Sequence, residues 1–272
     1  MPSLRRLRKL LFVLFLTYVF VIVMLVFLEN RMVYPLESAA DHWENPPDPA
    51  IEEVTFPSAD GVTIHGWYLA QPGAAEVLVI CHGNGGNLSY RGHTLLRFRE
   101  VLGCSVLIFD YPGYGKSSGK PSEEGCYASA EAALRWLNEF KSYPSRQVIL
   151  FGESLGGGIA TEIAKRQPCR ALVLFKTFTT LPAVGQRRYR WLPVRWLMRN
   201  KFDSLAKIRD IHVPTFIASA TLDEIVPFEM GKELHAAALG PKEFMALEGE
   251  HHNDRLSDDF MMRLKRFLEQ IR

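Results

Sequence analysis

Residues 147–160 read QVILFGESLGGGIA, and the junction Gly152-Glu153-Ser154-Leu155-Gly156 decides how the rest of the chain is read. A short apolar run passes straight into a serine flanked by glycines, and a helix-forming stretch follows without a break. The spacing is G-x-S-x-G. A serine hydroxyl at the tip of a tight strand-to-helix turn stands clear of a sheet, and small residues two before and two after it let the backbones approach. The following helix aims its positive dipole end, and the Leu155 backbone N–H, at charge developing beside the serine. With Gly and Ser each at roughly 7%, a bare G-x-S-x-G arises about once in ten chains of this length. Its place where strand meets helix lifts this one above chance. A glycine-rich turn needed only for packing is the competing reading.

Outward from the junction, short apolar runs alternate with helical stretches. IEEVTFPS and VTIHGWYLA, joined at Asp60-Gly61, form a hairpin. EVLVICH (76–82), a helix over 88–101 and CSVLIFD (104–110) follow, and a helix over 123–140 leads to the junction. Beyond the helix over 155–165 come RALVLFKT (170–177), TFIASA (215–220), a helix near 228–239, the strand KEFMAL (242–247) and a last helix from 258. All-apolar strands separated by helices give an α/β fold with a mainly parallel sheet covered on both faces.

Composition excludes several classes. The chain of 272 residues is 47% apolar and 23% charged, which suits a packed domain and not a disordered one. A net charge of +2 without a basic, aromatic-laced stripe argues against a nucleic-acid partner, and nothing points to an obligate protein partner. Cys81, Cys104, Cys126 and Cys169 contain no CxxC pair, so zinc-ribbon and thioredoxin-like chemistry is excluded on spacing. Buried free thiols are expected, with a disulfide as the alternative.

Residues 10–28, LLFVLFLTYVFVIVMLVFL, carry no charge and are nearly long enough, at ~1.5 Å per residue, to cross a ~30 Å hydrocarbon core. Arg5, Arg6, Arg8 and Lys9 precede them, so the expected topology is N-terminus in the cytoplasm and the rest of the chain on the extracytoplasmic side. A cleavable signal peptide would have a shorter apolar core and a nearer small-x-small site than Ser38-Ala39-Ala40. The expected organisation is a basic tail (1–9), a membrane anchor (10–28), a proline-bearing acidic linker (29–50) and one domain (51–272).

A serine nucleophile needs a base and an orienting carboxylate. EVLVICH ends in HGNGGN, where sheets of this kind place a second oxyanion donor, here the Asn84 backbone N–H beside that of Leu155. His82 reads as structural, because no metal ligand lies at a suitable spacing, and the loop lacks the Lys-Ser/Thr ending of a phosphate loop. No metal or cofactor is called for. TFIASATLDEIVPF supplies Asp223 just after its strand, with Glu224, Asp110 and Glu153 as less well-placed carboxylates. EGEHHND (248–254) supplies His251 and His252, and the residue pattern by itself leaves both open as the base. Asp254 is expected to cap the last helix.

HGNGGN, FDYPGYGKSSG, GESLGG, TLDEIVPF and HND, in this order over residues 51–272, resemble the α/β-hydrolase superfamily and its membrane-anchored serine-hydrolase branch, the Bem-type and related domain proteins. The resemblance implies an eight-stranded sheet, a site at its carboxyl edge, and cofactor-free esterase, lipase or thioesterase chemistry on a small-molecule or lipid acyl substrate. It also implies His252 as base, from His-Asn-Asp, with His251 second. Peptidase or acyltransferase chemistry on the same residues and a non-catalytic scaffold are the rivals. Residues 178–213 are expected to form a short cap, its helix packing Val194, Leu197 and Met198 on the domain with the arginines solvated. The alternative is an interfacial segment docking on anionic lipid.

Overall fold

The computed structural model describes residues 4–271, so the first three residues of the basic tail and Arg272 lie outside the described residues. Helix α1 (Leu4–Val33) is followed by the antiparallel pair β1 (Ile51–Pro57) and β2 (Thr63–Leu69). Then come β3 (Val77–Cys81), α2 (Gly92–Leu102), β4 (Ser105–Phe109), α3 (Glu123–Lys141), β5 (Val148–Glu153), α4 (Leu155–Arg166) and β6 (Ala171–Phe175). Three short helices, α5 (Leu181–Arg188), α6 (Val194–Leu197) and α7 (Ser204–Ile208), precede β7 (Thr215–Ala220). The chain closes with α8 (Phe228–Ala237), β8 (Lys242–Leu247) and α9 (Asp258–Gln270).

The eight strands form one sheet in the order β1-β2-β4-β3-β5-β6-β7-β8, parallel from β4 to β8. The chain leaves β3 toward β4 on one side and reaches β5 on the other, so the order reverses at β3. Loops after β3 and β5 therefore diverge and leave a crevice at their carboxyl ends, where open α/β sheets hold their sites.

Alternation along each strand divides the core. Val79, Leu107, Leu150, Leu172 and Ile217 face α3, α4 and α7, while Ile80, Ile108, Ile149, Val173 and Phe216 face α2 and α9. On the second face, Phe260 of α9 packs 4.8 Å from Phe175, 5.9 Å from Phe216 and 6.4 Å from Phe151, ring centre to ring centre.

The N-terminal region departs from expectation. The one helix among the described residues long and apolar enough to cross a membrane runs from Leu4 to Val33, beyond 10–28 at both ends. The expected linker thus begins inside a helix. The reason is tertiary: Glu29 accepts hydrogen bonds from the Arg199 N–H (2.9 Å), the Asn200 N–H (2.8 Å) and Asn200 Nδ2 (2.8 Å), so a charged residue past the apolar run stays helical and buried. The remaining linker docks instead of dangling. Tyr34 is buried with its hydroxyl donating to Asn200 Oδ1 at 2.7 Å, and the Trp43 ring packs edge-on against Trp67.

Smaller differences follow from local chemistry. The stretch from 88 begins as a 3-10 turn capped by the Asn87 side chain before α2 starts at Gly92. The Ser257 side chain caps α9 by accepting from the Phe260 N–H, and Asp254 instead accepts from the His251 N–H at 2.7 Å. The expected Asp254 cap is therefore wrong, because Asp254 sits too far ahead of the helix and closes the histidine loop. All four cysteines are buried free thiols, and burial pushes Cys81, Cys104 and Cys169 up to about 12.

Phe260→Ala is expected to remove about 3–5 kcal/mol of stability. Denaturant titration of the detergent-solubilised protein, followed by circular dichroism, measures it.

Candidate active site

Ser154 sits between β5 and α4 at φ 51° and ψ −114°, a backbone conformation that a non-glycine residue adopts at a cost of about 1–3 kcal/mol. Close packing holds it there. A side chain at Gly156 would overlap the Cys81 carbonyl oxygen at the end of β3, and one at Gly152 would begin 2.6 Å from Gly157 Cα. The two glycines thus let α4 start directly against the strands. The Ser154 N–H donates to the Phe175 carbonyl at 3.0 Å, and Thr177 Oγ1 donates to the Ser154 carbonyl at 2.6 Å. The hydroxyl is left facing the crevice.

His252 reaches that hydroxyl from the loop after β8, with Nε2 3.0 Å from Ser154 Oγ. Its Nδ1 lies 2.7 Å from Asp223 Oδ2. A carboxylate only accepts, so Nδ1 carries the proton and the Nε2 lone pair faces the serine. Asp223 is itself fixed: Oδ1 accepts from the N–H groups of Ile225 (2.9 Å) and Val226 (2.7 Å) in the turn ahead of Pro227. Both side chains are nearly inaccessible to water, which strengthens their pairing.

The neighbouring residues form a second pair that points elsewhere. His251 Nδ1 lies 3.3 Å from Glu224 Oε2, and both side chains are more than half exposed. Two adjacent carboxylates and two adjacent histidines thus pair in register, and only the inner pair meets the serine. Asp110 is buried on the other side of the site, where Oδ1 accepts from the Leu88 N–H at 2.8 Å and lies 3.4 Å from His82 Nε2. His82 is a structural residue: its Nδ1 donates to the Gly83 carbonyl at 2.6 Å and its ring stacks on Tyr111 at 4.4 Å. Glu153 faces away, 3.9 Å from Arg91.

The loop after β3 comes alongside Ser154, since a side chain at Gly83 would begin 3.6 Å from the serine Cβ. Its carbonyls are tied from behind. Tyr111 donates to His82 O (2.7 Å), Tyr114 to Asn84 O (3.1 Å), and Arg91 to Gly85 O (3.0 Å) and Asn87 O (2.8 Å). Among the described residues, neither the Asn84 nor the Leu155 backbone N–H donates to a protein acceptor.

One residue of the site escapes the sequence reading. Lys176 directly follows β6, at φ 49° and with its side chain fully buried. Its ammonium donates to the His251 carbonyl (2.8 Å) and the Asp254 carbonyl (3.0 Å) and lies 3.0 Å from Glu250 Oε2. It grips the loop on both sides of His252. A buried lysine without such partners would be prohibitively costly, so a lysine directly after the all-apolar run ALVLF was the available signal.

A strained serine on a strand–helix turn, beside an inward histidine and a buried aspartate at a parallel sheet's switch point, defines an α/β protein with a serine elbow. The family model described as the alpha/beta hydrolase fold matches residues 76–197. An uncharacterized protein from Mycobacterium tuberculosis is 37% identical over 227 residues, 82% of this chain and 80% of that one. The chain belongs to the alpha/beta hydrolase fold family. YfhR from Escherichia coli is 26% identical over 269 residues, 95% of this chain and 92% of its own. Among solved structures, an esterase from Pyrococcus furiosus shares 20% identity and a TM-score of 0.68, covering 84% of this chain and 97% of that one. An acetyl xylan esterase from a Paenibacillus species shares 22% and 0.68, covering 84% and 86%. The latter two likenesses concern the fold.

Lys176→Met is expected to loosen the histidine loop and slow labelling of Ser154 by a fluorophosphonate probe about 10²-fold, the scale of a 1 Å misplacement. Helical circular dichroism should be retained, and restoration by Lys176→Arg would separate charge-mediated anchoring from simple packing.

Proposed function

We propose that the chain is a membrane-tethered serine hydrolase of carboxylic esters or thioesters, with 51–272 as the catalytic domain. The observation that carries this is the continuous line Ser154 Oγ, His252 Nε2, His252 Nδ1, Asp223 Oδ2, with gaps of 3.0 and 2.7 Å. The esterase names of two proteins of similar fold support the same class.

In this mechanism Ser154 Oγ attacks the acyl carbonyl while His252 Nε2 takes the hydroxyl proton. Asp223 holds the resulting imidazolium at Nδ1. The carbonyl oxygen becomes an oxyanion received by the Asn84 and Leu155 N–H groups, with the α4 dipole behind the second. His252 then returns its proton to the departing alkoxide or thiolate. Water, deprotonated by the same imidazole, attacks the acyl-enzyme, and the carboxylic acid leaves as Ser154 regains its proton.

The apolar stretch of α1, with Arg5, Arg6, Arg8 and Lys9 ahead of it, supports an uncleaved anchor with its N-terminus in the cytoplasm and the catalytic domain outside. A C-terminal alkaline phosphatase fusion is accordingly expected to be active in a bacterial host and a green fluorescent protein fusion dark; the reverse pattern would overturn the topology.

The parent protein is expected to be labelled by a fluorophosphonate and to hydrolyse p-nitrophenyl acetate. Ser154→Ala and His252→Ala abolish both, Asp223→Asn lowers turnover about 10⁴-fold, and His251→Ala leaves the rate within a few-fold. An unlabelled, folded parent would sink the hydrolase reading.

A further inference from the structure

A cavity of about 780 Å3 lies between α1 and the cap helices α5 and α6. One wall belongs to the anchor, through Ile22, Leu25, Val26 and Met32; the other is built by Leu181, Val184, Leu197 and Met198. It is lined as well by Asn84, of the loop after β3, and by Ile225, two residues past Asp223. The volume is that of a small-molecule site, about 300–1,000 Å3. The stripe Ile22, Leu25, Val26, Glu29 and Val33 turns toward the domain, while Phe20, Val23, Met24 and Phe27 face outward.

The anchor is fastened as a wall. Glu29 is held by Arg199 and Asn200, and the Val33 carbonyl accepts from Asn84 Nδ2 at 2.9 Å. Higher on the helix, the Tyr18 hydroxyl donates to the Trp191 carbonyl at 3.1 Å. Tyr18 lies within the apolar run, about 15 Å from its end at 1.5 Å per residue, so the cap extends along the anchor from that end. There Trp191 is 60% exposed and Trp196 88% exposed, among Arg188, Arg190, Arg195 and Arg199. That combination suits the lipid interface. The expected cap, packed on the domain with merely solvated arginines, is thus incomplete: Val194, Leu197 and Met198 line the cavity opposite the membrane helix.

Charge at the cavity is uneven. Glu29 is committed to Arg199 and Asn200, and Glu224 lies against His251. Arg187 and Arg188 also line the space, and among the described residues neither has a carboxylate within ion-pair distance. Two uncommitted guanidinium groups at an apolar cavity favour an anionic group beside an acyl chain.

We propose that the anchor helix forms part of the substrate site, and that the substrate is an anionic acyl lipid of the bilayer. Its chain lies between α1 and the cap, its headgroup meets Arg187 and Arg188, and its ester carbonyl is presented to Ser154. The last step rests on the serine-hydrolase reading; the binding of the lipid does not.

The test uses the full-length Ser154→Ala protein in phosphatidylglycerol vesicles, with a trace of lysophosphatidylglycerol carrying a diazirine at the end of its acyl chain. After photolysis, adducts are expected on Val184, Leu197 and the inward face of α1, reduced about tenfold by the space-filling Val26→Trp. Adducts confined to Phe20 and Phe27 would show bulk lipid only and overturn the proposal. A lysophosphatidylcholine probe should crosslink less, with the difference erased by Arg187→Ala with Arg188→Ala; equal crosslinking in the parent would overturn the headgroup assignment. In the active protein, Val26→Trp should lower kcat/KM for p-nitrophenyl palmitate about tenfold more than for p-nitrophenyl acetate. Equal loss on both esters, or on neither, would count against the acyl site. Failure of the parent to label would sink the hydrolase reading alone, leaving the crosslinks to decide the lipid site.

Discussion

The candidate site depends on one close approach, the first turn of α4 against the carboxyl end of β3. A β-carbon at Gly156 would occupy the space of the Cys81 carbonyl oxygen, so the helix can start where it does only because that atom is missing. Starting there forces Ser154 to a positive φ and lifts its hydroxyl over the sheet edge. The same contact brings the loop after β3 beside the serine. Ser154 and the proposed oxyanion donors are therefore placed by a single steric fact, with the strain at Ser154 borne by the close-packed strands below it.

A second constraint keeps the loops from drifting. The loop carrying His252 has no regular structure, yet it is clamped by the buried ammonium of Lys176 and by the Asp254 carboxylate on the His251 N–H. The Asn84 loop is likewise held through its carbonyls, and through Asn84 Nδ2 it is tied to the last turn of α1. Polar groups that burial would penalise are used to lock three separate segments into one geometry. Helix α1 is thereby joined mechanically to the candidate site.

Much of this was legible in the residues. Most of the sheet strands appeared as short apolar runs, because strands buried on both faces must be apolar; TFIASA and KEFMAL coincide with β7 and β8, and the other boundaries moved by one or two residues. Ser154, Asp223 and the EHHND loop could be found because each follows a strand at the same sheet edge. Less legible was the N-terminal region. Its acidic, proline-bearing composition suggested a loose linker, but Glu29, Tyr34 and Trp43 find their partners in residues more than twenty positions away. Lys176 was passed over because a lysine after a strand normally marks the return to solvent.

The choice between His251 and His252 shows where the division falls. The sequence by itself determined the parallel α/β class, the serine turn, the loop that carries the histidine pair and the apolar segment ahead of the domain. These follow from local patterns, in which spacing and polarity dictate backbone conformation. Only the tertiary structure decided that His252 turns inward to Ser154 while His251 turns out to Glu224, that Lys176 anchors their loop, and that the apolar helix walls a cavity. Those outcomes rest on contacts between residues far apart in the chain, whose distances are set once the sheet and its covering helices close around one another.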